Sequence, residues 1–264
     1  MNSEQKPVLY LNNLSKSYNG LKALQNISLT VNKGEIFGFL GPNGAGKTTT
    51  MKCCAGLLRP NDGSISILGF DLAKQPSSAK AMLGYVPDNP YLYEKLTGRE
   101  MVAFVARLYG VSPKGLQDKI ESYFRIFEME TECDRLIQGY SRGMRQKTAL
   151  ISAILHQPFL LLVDEPTANL DPKSARLTKD IFQTIKRQGR SVFLSTHVME
   201  IAETLCDRIA IINDGKLLAT GTMEQLHRQH EGNSLEDIFL GLTGGDDPET
   251  QKLLQELSRK EGGV

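Results

Sequence analysis

The 264-residue chain has no long hydrophobic run. Its longest apolar stretches, such as Phe159–Val163, are the length of a strand, far short of the roughly 18–20 residues that cross a bilayer as a helix. Met1–Pro7 is polar and holds no apolar core, so no secretory signal is expected. Cysteine is scarce. Cys53, Cys54, Cys133 and Cys206 form no C-x-x-C pair, and no histidine flanks them at zinc spacing. Neither a disulfide framework nor a zinc site is therefore encoded, and the thiols read as buried residues of a reducing compartment. An excess of one charge is missing too. With 31 Lys and Arg against 30 Asp and Glu, the formal net charge is +1. That leaves no electrostatic footprint for nucleic acid and no polybasic membrane anchor. The expectation is a soluble, cytoplasmic protein with no nucleic-acid partner, held at a membrane only if something else holds it there.

What is present suffices for a sizeable core, since 40% of the residues are hydrophobic. Val8–Leu14 and Ile27–Val31 alternate as strands do, and Glu35–Leu40 runs as a strand into a glycine-rich turn. A helix follows over Gly46–Leu57, a strand over Ser64–Leu68, a short helix over Ala79–Leu83 and a short strand over Gly84–Val86. From Thr97 the period becomes helical, with helices to about Met129 and again over Ser141–His156, where Ser141 takes the N-cap position. Alternation of strand and helix then resumes: strands at Leu160–Val163, Ser191–Ser195, Ile209–Asn213 and Lys216–Thr220, helices at Lys173–Arg187 and Val198–Leu205. Asp214-Gly215 marks a hairpin turn. The pattern divides the chain into one domain over about 1–230, with a core of about 1–87 and 158–222 and an inserted helical block of about 88–157. Residues 231–264 form a helical or flexible tail, polar from Asp246 onward.

Two motifs carry chemistry. Gly41-Pro42-Asn43-Gly44-Ala45-Gly46-Lys47-Thr48 fits G-x-x-x-x-G-K-[ST], between a strand and a helix as that motif requires. Glycines let successive amide N–H groups turn inward around phosphates, and the helix N-terminus adds positive potential that extends to Thr49. Lys47 supplies a point charge for the β- and γ-phosphates, and the Thr48 hydroxyl can ligate Mg2+. Phe159–Val163 ends in Asp164-Glu165. A buried strand presents such an end where the phosphate loop opens. There Asp164 would hold the metal ion and Glu165 would polarise water as general base. His197, after the strand Ser191–Ser195, can donate to a γ-phosphate.

In this order the motifs resemble those of an ABC-type ATPase, the nucleotide-binding subunit of ATP-binding-cassette transporters, from about Val8 to Leu242. The resemblance implies an α/β fold: a P-loop NTPase core with an antiparallel β subdomain and an inserted α-helical subdomain. It implies ATP and Mg2+ as ligands. Tyr18 matches the aromatic that stacks on adenine, Ala168-Asn169-Leu170-Asp171 the loop that reaches across a dimer, and His197 the switch histidine. Tyr140-Ser141-Arg142-Gly143-Met144 stands where the family has Leu-Ser-Gly-Gly-Gln; Ser141 and Gly143 are kept, and they would bind the γ-phosphate held by a second ATP-binding subunit, an identical copy or a close paralogue. Asp88, in Pro87-Asp88-Asn89-Pro90, replaces the family's glutamine beside the metal and water site. A carboxylate there can still coordinate the ion, yet repels Glu165 and the γ-phosphate. The signature variant and Leu235–Gly241 look most like bacterial exporters of the ABC-2 kind, whose ATPase works beneath a separate integral-membrane permease. Asn89–Lys95, with Tyr91 and Tyr93, would be the dock. A soluble ATPase of this family acting on DNA or ribosomes is the alternative; it would bring long coiled-coil insertions or tandem cassettes, and neither is here. A GTP switch would need an Asn-Lys-x-Asp reader, which is missing, and a small kinase has no use for the Ser141 motif.

Overall fold

The computed structural model describes residues 6–168, 170–230 and 234–244. Asn169 and the polar tail after Asp246, both subjects of expectations above, lie outside the described residues.

Two sheets organise the chain. The first is antiparallel, with strands β1 (Leu9–Tyr18), β2 (Leu21–Val31), β4 (Asp62–Ile67) and β5 (Phe70–Asp71) in the order β2-β1-β4-β5. The second has six strands in the order β10-β9-β3-β8-β7-β6. Its members are β3 (Ile36–Leu40), β6 (Leu83–Val86), β7 (Leu160–Asp164), β8 (Ser191–Thr196), β9 (Arg208–Asn213) and β10 (Lys216–Gly221). All neighbours in it run parallel except β10, which returns antiparallel to β9. Parallel strands buried on both faces are apolar throughout, and β3 and β7 have no exposed residue. Alternation still sorts their side chains. Leu160 and Leu162 pack with Phe37, Phe39 and Phe193 toward helix α1 (Lys47–Cys54) and the antiparallel sheet. Leu161 and Val163 pack on the other side, in the core that joins the helices.

The helical block is α3 (Gly98–Leu108), α4 (Leu116–Ile126) and α5 (Arg142–Leu155). Thr97 caps α3 with a reciprocal capping box to Glu100, and Ser141 caps α5 by accepting from Met144 N. Phe124, Phe127, Ile120 and Ile151 are fully buried between these helices. Helices α6 (Pro172–Arg187) and α7 (Met199–Leu205) cover the parallel sheet on the same side, while α8 (Met223–Gln229) and α9 (Leu235–Thr243) close a third cluster over β9 and β10.

Local differences from the sequence-based expectation have local causes. Helix α1 stops at Cys54 because Ala55 and the left-handed Gly56 fold its end back. Helix α2 (Pro76–Ala81) starts earlier than expected because Pro76 sits in its first turn, and Leu83 belongs to β6 instead. Strand β1 runs past Leu14 to Tyr18 through register shifts, with Asn13 at φ +49°. Those irregularities break the simple alternation. Among the described residues, no helix is long and apolar enough to cross a membrane.

Candidate active site

The phosphate loop joins the end of β3 to α1, at the C-terminal edge of the parallel sheet. Gly46 is the N-cap of α1 at φ +108°, and no side chain caps that helix start. A Cβ on Gly46 would lie 2.6 Å from the Ala23 carbonyl oxygen, so both backbone conformation and space require glycine. The loop is also sewn to its surroundings. Gly215 N donates to Ala45 O at 3.0 Å, and Gln25 N donates to Gly215 O at 2.8 Å. The β9–β10 turn thus ties the antiparallel sheet to the phosphate loop.

Pro42, Asn43, Gly44, Gly46, Lys47, Thr48 and Thr49 line a cleft of about 200 Å3 together with Ala23, Asp88 and Glu165. Lys47 is almost fully buried, and its Nζ donates to Gly41 O at 2.7 Å and Pro42 O at 3.2 Å. These bonds hold the ammonium across the loop mouth, 3.6 Å from Glu165 Oε1. The same carboxylate oxygen is 3.0 Å from His197 Nδ1. Glu165 sits at φ +52°, a left-handed conformation that costs a non-glycine residue about 1–2 kcal/mol. Its N–H donates to Ser195 O at 3.0 Å, which anchors the strained turn to β8. Strain kept at a carboxylate that faces a phosphate cleft fits a functional position.

Asp164, at the end of β7, is fully buried. Ser195 Oγ donates to its Oδ1, whereas among the described residues the buried Oδ2 has no hydrogen-bond partner. Burial pushes the Asp164 carboxyl above its ordinary range; the Ser195 hydrogen bond and then the nearby Thr48 hydroxyl pull it back, and Glu165 and Asp88 add to the rise. An orphaned buried carboxylate oxygen beside the Thr48 hydroxyl is the donor set a hard cation seeks. Among the described residues, no group of three or more His, Cys, Asp or Glu could hold a metal by itself. Mg2+ needs no such group, because one or two carboxylates plus substrate phosphates suffice.

The structure therefore brings together Gly41–Thr49, Asp88, Asp164, Glu165 and His197. Tyr18 lies elsewhere, at the end of β1, with 42% of its surface exposed and Lys16 Nζ 5.5 Å from its ring centroid. Ser141, exposed, and Gly143, half-buried, open α5 and do not line the cleft. Two residues at the site escaped the sequence reading. Ser195 holds Asp164, and Tyr85 on β6 carries a buried hydroxyl with no partner among the described residues. Burial first, then Asp164 and Asp88, raise the Tyr85 phenol so that it stays protonated.

The family model described as ABC transporter matches residues 24–168. The chain is 37% identical over 221 residues to the ABC transporter ATP-binding protein NatA of Bacillus subtilis (strain 168), covering 83% of this chain and 90% of that one. The chain belongs to the ABC transporter family. This ABC ATPase is also 33% identical over 250 residues to the Nod factor export ATP-binding protein I of Rhizobium sp. (strain N33), covering 95% of this chain and 81% of that one. A solved structure of an ATP-binding subunit of an ABC transporter superposes with a TM-score of 0.84 at 34% identity, covering 89% of this chain and 99% of that one. The chain is thus the ATP-binding, ATP-hydrolysing subunit of an ABC transporter, with the P-loop fold expected from its motifs.

Proposed function

We propose that this subunit hydrolyses Mg-ATP at a site shared between two copies, or between this chain and a close paralogue, and so drives an exporter of the ABC-2 kind. The supporting observation is the convergence of Lys47, Glu165 and His197 on one cleft with the orphaned oxygen of Asp164. The ATP phosphates would lie along Gly41–Thr49, with the ammonium of Lys47 on the β- and γ-phosphates. Thr48 and Asp164, with Asp88 at the edge of the cleft, would hold Mg2+, which when bound spreads the charge of the phosphates. Glu165 accepts a proton from water as the water oxygen bonds to the γ-phosphorus and the bond to ADP breaks. His197 occupies Glu165 Oε1 and leaves the other oxygen for that water. Tyr18 offers its exposed ring to adenine.

The second half of the site is the exposed start of α5. Its N-terminal amides, with Ser141 and Gly143, suit the γ-phosphate of a facing subunit, where hydrolysis removes the bridge. The dock for the permease is a groove of about 340 Å3 lined by Tyr85, Pro90, Tyr91, Leu92, Tyr109 and His156, among others. Tyr91 is 91% exposed, which suits an aromatic anchor at an interface. The loop after β6 has Asp88 in the phosphate cleft and Pro90–Leu92 in the groove. A push on the groove is thereby carried to the reacting phosphates. Such a subunit works in the cytoplasm on the inner face of the membrane, and its near-neutral charge offers nothing to nucleic acid.

Glu165→Gln tests the reading. The amide keeps the shape but accepts no proton, so steady-state hydrolysis should fall at least about a hundredfold. With Mg-ATP present, gel filtration should then show a nucleotide-dependent dimer. A monomer that still hydrolyses ATP at the parental rate would sink the proposal.

A further inference from the structure

The first turn of α5 holds Arg142 and Arg145 and no acidic residue. Cations at a helix N-terminus oppose the helix dipole, so each arginine needs another partner. Arg145 has one, since its Nη2 is 3.0 Å from Glu94 Oε1 and its Nε donates to Tyr140 O. Arg142 has none: among the described residues it forms no ion pair. It lines a polar cavity of about 210 Å3 with Asp88, Arg145 and Gln146, among others. Two further groups in that cavity lack a counterpart. Among the described residues Asp88 takes part in no ion pair, and Gln146 Oε1 is buried with no hydrogen-bond donor on a residue only 3% exposed. Arg142 and Gln146 are four residues apart, which puts them on one face of the helix.

The geometry points to Arg142 as the positioning residue for Asp88: its guanidinium turns into this cavity, pairs with the Asp88 carboxylate and donates a second N–H to Gln146 Oε1. A guanidinium has five donors in a flat fork, enough for both acceptors at once. The pair explains how a carboxylate is tolerated at the rim of a phosphate cleft that already holds Glu165 and Asp164. Asp88 lines both cavities, and its charge is directed to the arginine side. The start of α5 is thereby joined to the loop beside the γ-phosphate within one subunit. This inference rests on the placement of Asp88 beside the phosphates given under the proposed function.

Titration of the full-length protein with a fluorescent ATP analogue plus Mg2+ tests it, using Arg142→Gln, Arg142→Lys, Asp88→Asn and the Arg142→Gln/Asp88→Asn double variant. Removing the guanidinium leaves Asp88 to repel the phosphates, so Arg142→Gln should weaken binding roughly threefold to tenfold. Arg142→Lys keeps the charge and should retain most of the affinity. Thr48 and Asp164 remain to hold Mg2+ in Asp88→Asn, so removing the repulsion should on balance tighten binding. The double variant should then bind at least as well as the parent, a reversal that loss of helix stability alone cannot produce. An Arg142→Gln defect that persists in the double variant overturns the pairing and assigns Arg142 to the nucleotide of a facing subunit. An Arg142→Gln variant that binds like the parent overturns it as well. If Asp88→Asn alone changes neither nucleotide affinity nor its Mg2+ dependence, the placement of Asp88 beside the phosphates fails first.

Discussion

Substitution of Ser195 by alanine removes one hydroxyl and leaves the backbone carbonyl that accepts from Glu165 N untouched. That hydroxyl is the donor to Asp164 Oδ1, in a pocket where Ser195 and Asp164 are both fully buried. A hydrogen bond to a charged group contributes about 1.5–3 kcal/mol. Its loss should therefore shift Asp164 further toward the protonated form. The direction of the pH effect follows. The Asp164 carboxyl is already raised by burial in the folded protein. A raised carboxyl favours the folded state below the unfolded carboxylate range, and that contribution is lost as pH rises through the folded value. Without the Ser195 bond the loss should extend to higher pH. Calorimetry without Mg2+ should thus show the melting temperature of Ser195→Ala still falling at a pH where the parent has levelled off. With saturating Mg-ATP, the acid limb of the hydrolysis rate should move to higher pH, so the variant should lose most activity in mild acid and recover toward alkaline pH. Superimposable pH–rate profiles for parent and variant would show that Ser195 does not tune Asp164, and the argument from burial would be wrong.

Gly46→Ala should be far worse than Gly44→Ala. The first forces a Cβ to 2.6 Å from Ala23 O at φ +108°, whereas the second, at φ +85°, meets nothing within 4 Å. We expect a loss of about 2–4 kcal/mol for Gly46→Ala and only about 1–2 kcal/mol for Gly44→Ala, read by denaturant unfolding, with nucleotide binding abolished in the first alone. Tyr91→Glu and Tyr93→Glu should stop co-purification with a co-expressed permease while leaving hydrolysis by the isolated subunit within about twofold, because both side chains are exposed and neither lines the phosphate cleft. Equal recovery of the permease with both variants would remove the groove as its dock.

Much of the candidate site was legible because its residues stand in short contiguous strings. The glycines around Lys47 and the two carboxylates ending an apolar run each announce a phosphate or metal role without reference to anything distant. The supports are a different matter. Ser195 reaches Asp164 across 31 positions, and Gln25 reaches Asp214 across 189. Nothing in either neighbourhood marks such a residue, since a serine ending an apolar strand is common. Tyr85 looked like part of a short strand, and only packing shows that its hydroxyl is buried among carboxylates. In the fold, strands buried on both faces were plain from their apolar content. Strand β1 was underestimated because Ser15–Tyr18 is polar and irregularly paired, and the two-residue β5 is too short to carry any period. Its pairing with β4 creates it, not its own sequence.

The Asp214-Gly215 turn looks like the natural place to insert a label, being a tight hairpin corner. It is a poor choice. Its glycine has no room for a Cβ beside Ala23, and that one residue serves the nucleotide loop through its N–H and an outer strand through its C=O. A reporter placed at that corner would disturb the very binding event it was meant to watch, and should go elsewhere.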